Sequence, residues 1–165
     1  MNDSAIAILR VIHIAFGSVW LGGAMTLGFF VLPAATRAEP GSSAQPMAHA
    51  RALGIITGGG AIAMIAGFVL YGAVWTGAGS AGPARLYAIG GHFATAAIAV
   101  TAVLAGPAAF RLGSLAHALA RQNSPPTEEQ RTTQARLVTH LAWASRLAAL
   151  LLVVTVAFMA IGRYV

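Results

Sequence analysis

Residues 11–33, VIHIAFGSVWLGGAMTLGFFVLP, form an apolar run with no charge after Arg10. As a helix rising 1.5 Å per residue, such a run covers about 30 Å or more, the thickness of a bilayer's hydrocarbon core. A segment of this kind has lipid as its solvent. In lipid, only helices and closed barrels satisfy every backbone hydrogen-bonding group, so the run predicts a transmembrane helix.

The rest of the chain agrees. Charged residues make up 8% of it, and 58% is hydrophobic, whereas a soluble domain carries about a quarter charged residues. The chain opens on Asp3 with no basic region, which reads as a first span and not as a cleaved leader. The absence of cysteine excludes disulfides, thiolate metal sites and cysteine-ligated iron–sulfur clusters.

Four spans follow from the apolar runs, at about residues 5–32, 50–76, 86–110 and 137–161. Asp3 or Ser4 caps the first, which is expected to end before Pro33. A polar loop with a Pro40–Gly41 turn follows. The second span carries Gly58, Gly59 and Gly60 in a row. In a bilayer such glycines become contact points rather than breaks. A loop over 77–83 leads to the third span, where Gly106–Pro107 predicts a kink near the far end. Residues 111–136 read as a helical extension and hairpin outside the membrane, broken at Pro125–Pro126. Thr127 and Gln130 then form a capping box that starts the fourth helix.

The fold class is therefore all-α, a polytopic membrane protein built as an antiparallel four-helix transmembrane bundle in one domain. The net charge of +6 comes from arginines that punctuate apolar runs, a pattern that reads as lipid topology and not as nucleic-acid binding. Arg37, Arg51, Arg111, Arg121, Arg131 and Arg136 fall at one end; Arg10, Arg85 and Arg163 fall at the other. The positive-inside rule places the first end in the cytoplasm. Both termini are then on the non-cytoplasmic side of a cell inner membrane.

The histidines sort by depth. His13 lies three residues past Arg10 and His92 seven past Arg85, about 5 to 10 Å inside their boundaries. An imidazole at that depth calls for an interior partner. His49 and His140 lie near the opposite boundary, and His117 lies in the extension. A His13–His92 pair has three readings: two axial ligands of a haem, ligands of another metal, or a structural pair.

Haem is favoured over a bare ion because no span holds a carboxylate to balance a divalent cation. Gly17 and Ala24 beside His13, and Ala96 and Ala99 beside His92, leave room for a flat macrocycle. Arg10 and Arg85 stand where propionates pair. Arg146, inside the fourth span, either snorkels to the headgroups or pairs with an anionic cofactor or lipid group. Trp75, Trp143 and Tyr164 read as interfacial aromatics, whereas Trp20 is deep enough to pack within the bundle. The five methionines stand singly, so no methionine-rich copper(I) ladder is present.

Residues 13–23, HIAFGSVWLGG, resemble the first-helix pattern of small CopD-like membrane proteins, a histidine followed by Trp-x-Gly-Gly. Residues 159–164, MAIGRY, resemble the end of their last helix. This resemblance implies the four-span layout and copper handling or, through the related HemJ group, haem-associated protoporphyrinogen oxidation. The HemJ pattern pairs a first-helix histidine with a third-helix lysine, where this chain has His92 and no lysine at all.

The expectation is thus b-type haem held between the first and third helices by His13 and His92, with a second haem between His49 and His140 as a weaker extension. Electron transfer with a membrane quinone or porphyrin partner would follow. Copper is the alternative cofactor. A non-enzymatic structural subunit, in a homo- or hetero-oligomer, is the alternative function.

Overall fold

The computed structural model describes residues 1–37, 44–75, 82–122 and 124–164. Every regular element among them is helical: α1 (Asp3–Met25), α2 (Leu32–Arg37), α3 (Ala44–Trp75), α4 (Pro83–Val100), α5 (Gly106–Arg121) and α6 (Glu128–Ile161). Two π-helical segments, Thr26–Val31 and Thr101–Ala105, join α1 to α2 and α4 to α5 without a break. The result is four helices long and apolar enough to cross a membrane: Asp3–Ala35, Arg51–Trp75, Pro83–Arg121 and Glu128–Ile161.

The helix ends follow local chemistry. Asn2, not Asp3 or Ser4, caps α1, its Oδ1 accepting from the Ala5 N–H at 3.0 Å. Thr127 and Gln130 cap α6 reciprocally, at 2.8 and 3.3 Å. Gly82, at φ 63°, makes the left-handed turn into Pro83, whose fixed φ suits a first helical position. The Pro40–Gly41 turn and most of the loop expected over 77–83 lie outside the described residues.

The first helix does not stop at Pro33. A proline ring crowds the carbonyl four residues back and offers no N–H. The π segment before it shifts the register, so that Leu32 N–H bonds Leu27 O, five residues back. That wider turn lets the helix continue to Arg37. The third span repeats the device: Gly106 N–H bonds Thr101 O, and Pro107 follows within α5. The helix thus runs through Gly106–Pro107, where a kink is expected, without a break in its helical assignment.

In the bundle, α1 packs chiefly on α3 and α4 on α6, while α1–α6 and α3–α5 contacts close the ring. The first and third spans therefore sit across the diagonal. Trp20, Leu32, Leu112 and Leu141 are buried at its centre. On the outside, Val11, Phe30, Ile55, Phe68 and Phe110 are each at least 60% exposed. An apolar exterior around an apolar core is what lipid as solvent demands. This is a multi-pass membrane protein.

Glycines set how closely the spans approach. A Cβ on Gly60 would come within 2.6 Å of the Trp20 ring, and one on Gly23 within 2.5 Å of the Ile56 side chain. Phe93 stacks on Phe158 between the third and fourth spans at 5.8 Å.

Candidate functional site

His13 is half-buried where α1 crosses α3. Its Nδ1 donates to Ala63 O at 2.8 Å, since a carbonyl only accepts. The ring reaches that carbonyl because Gly67, one turn on, has no side chain; a Cβ there would stand 2.8 Å from His13 Cε1. His13 is thus a bolt between the first and second spans. Interhelical bonds of this type contribute about 0.6 kcal/mol on average and at most about 1.7. A His13→Ala variant is expected to lose about 1 kcal/mol of unfolding free energy in detergent. Gly67→Ala should cost as much in the wild type, by evicting the ring, and little more once His13→Ala is present.

His92 stands on the exposed side of α4, and its Nδ1 donates to Ala88 O of its own helix at 2.7 Å. Thr95, Ala96 and Ala99 are exposed on the same face, and the Thr95 hydroxyl donates to Gly91 O. The structure does not bring His13 and His92 together. One is turned onto the second span and the other stands on the exposed side of its own helix, because of how each helix is rotated about its axis. Gly17 has open space beside it, Ala24 is buried, and Arg10 and Arg85 are exposed. His140 and His117 are exposed near the opposite end, and the side chain of His49 lies outside the described residues. No group of three or more metal-ligating side chains gathers among the described residues.

Sequence reasoning missed the best-defined polar contact. In the π register, Gly28 O would pair with the N–H of residue 33, but that residue is a proline. The N–H of Leu32 is already given to Leu27 O. Arg146 fills the gap, its Nε donating to Gly28 O at 2.8 Å. Its guanidinium lies over the Trp143 and Phe29 rings, at 5.1 and 5.7 Å from their centroids. Cation–π contact suits a charge held away from water. The spans meet closely here: a Cβ on Gly28 would come within 2.9 Å of the Arg146 backbone nitrogen. Beside it, Ser145 Oγ is buried with no hydrogen-bond partner among the described residues. The signal was present as a Thr26-to-Pro33 segment facing an intramembrane arginine. Linking the two needed the crossing.

Comparison with protein-family models, with curated proteins and with solved structures found no match for this chain.

Proposed function

We propose that this membrane protein binds a b-type haem on the exposed face of its third span, where His92 would hold the iron, and serves electron transfer within the bilayer. The observation that carries this reading is the Nδ1 bond to Ala88 O. It holds the proton on Nδ1 and leaves Nε2 of the neutral ring as a lone pair, the arrangement that orients ligating histidines. Ala96 and Ala99 leave a shallow surface beside the ring. Arg85, two turns before it, is placed to pair with a carboxylate. Haem would supply one-electron redox chemistry; a quinone or porphyrin is the partner such chemistry calls for.

The CopD-like first-span pattern motivates haem and copper alike. A bare copper ion shared by two imidazoles needs their nitrogens within about 4 to 5 Å, and His13 is turned to Ala63 instead. That favours haem. The arginine-rich end is taken as cytoplasmic, in a cell inner membrane, with both termini outside.

The test is a reduced-minus-oxidised spectrum with a pyridine haemochrome assay on purified protein. Haem is expected in the wild type and in His13→Ala, and is expected to be lost in His92→Ala. A wild type without haem, or His92→Ala protein that keeps it, would sink the reading. The competing reading is a non-enzymatic structural subunit, favoured by the use of His13 and Arg146 as interhelical bolts. It predicts no haem in any of the three proteins.

A further inference from the structure

The two π segments pose the same problem, and among the described residues only one of them is solved. Gly28 O, stranded by its π register and Pro33, is taken by Arg146. In the third span, Gly106 N–H is given to Thr101 O and Pro107 has no N–H to offer, so the register leaves Ala102 O without a donor from its own helix. No side chain among the described residues donates to it. Ala102 is exposed, and Gly106, one turn on, has no side chain to cover its carbonyl. In hydrocarbon an unmatched carbonyl is costly, because no water replaces the missing donor.

The missing donors exist elsewhere on the same chain. Arg146 uses only Nε in hydrogen bonding among the described residues; its terminal amino groups are not engaged. It lies in a half-exposed groove between the first and fourth spans, flanked by the exposed Trp143 and Phe29. Gly90 packs against Thr155 and Met159, and Ala102 and Arg146 each lie about three turns from that contact toward the same end, which places them at similar depth on different faces of the bundle.

We infer that the third-span face around Ala102 docks a second copy of this chain, whose Arg146 donates to Ala102 O. Charge complementarity favours this occupant: a guanidinium short of acceptors meets a carbonyl short of donors. Shape agrees, because the aromatic knobs Phe29 and Trp143 meet Ala99, Ala102 and Gly106. Inside the chain, Trp20 already packs on Gly60 in this way. The contact joins two different faces, so it is head-to-tail. Copies held parallel in one membrane then close into a ring or extend as a row. The inference does not depend on the haem.

The chain has no cysteine, so introduced thiols report alone. Both test positions, Ala102 and Leu147 (one turn beyond Trp143), are exposed, and substitution there keeps the rings over Arg146. Oxidative cross-linking in membranes should give a ladder of oligomers from the Ala102→Cys/Leu147→Cys protein and none from either single variant. Adding Arg146→Gln should reduce the ladder about fivefold or more. Absence of the ladder would overturn the inference, as would a ladder undiminished by Arg146→Gln. So would a dimer from Ala102→Cys alone, which would mark a twofold contact instead.

Discussion

A Gly28→Val variant is expected to lose about 3 kcal/mol of unfolding free energy, the upper end of what overpacking usually costs. Even a methyl group at this position would stand 2.9 Å from the Arg146 nitrogen and 3.1 Å from the Ser145 carbonyl carbon. These are backbone atoms of α6, which cannot rotate aside as a side chain can. The fourth span has to withdraw as a unit, and withdrawal breaks the Arg146–Gly28 hydrogen bond. Bonds to charged groups contribute about 1.5 to 3 kcal/mol. Reversible unfolding in mixed detergents, followed by tryptophan fluorescence, reads the loss. Gly22→Val is the control: a Cβ at Gly22 meets nothing within 4 Å, and its cost should stay within about 0.5 kcal/mol. Equal stability of the two variants would show that the first and fourth spans do not cross at Gly28.

The second large effect separates two members of one glycine triplet. Trp20 is 2% exposed and lies against Gly60, where a Cβ would come within 2.6 and 2.7 Å of ring atoms. Gly58, two residues earlier, faces open space. Gly60→Val is therefore expected to cost about 2 to 3 kcal/mol, and Gly58→Val close to nothing by the same unfolding assay. Trp20→Ala should cost about 2 kcal/mol, below the 3 to 5 typical of aqueous cores. Helices that separate in lipid lose packing but gain little from water. Combining Trp20→Ala with Gly60→Val should recover about 1 kcal/mol or more relative to the sum of the single losses. Strict additivity would mean that Trp20 and Gly60 do not touch.

The candidate site was legible to unequal degrees. His13 and His92 both lie in the early part of parallel spans, a placement legible from the sequence because position along a helix depends only on rise per residue. Their facing was not legible. In a soluble helix, polar residues mark the water side and reveal rotation about the axis. Here both lipid and core are apolar, so Val11 and Leu32 look alike in sequence, though one is 68% exposed and the other fully buried. The small residues beside the two histidines carried the same ambiguity. Ala24 is packed inside, whereas Ala96 and Ala99 are outside.

Pro33 and Pro107 were visible as interruptions. Their consequence was not, because a π turn shifts a carbonyl's partner by one residue, and the replacement donor comes from wherever the bundle supplies one. For Gly28 that donor is Arg146, distant in sequence.

The sequence by itself determined four spans, their antiparallel order, the capping box at Thr127 and the position of each costly polar group along its span. These depend on helix rise, local hydrogen bonding and the penalty for polar atoms in hydrocarbon, all of which act along the chain. Only the tertiary structure decided that His13 bolts the first span to the second, that His92 faces outward and that Arg146 completes the Gly28 turn. Those outcomes depend on how each helix is rotated about its axis, which close packing at glycines sets and hydropathy does not record.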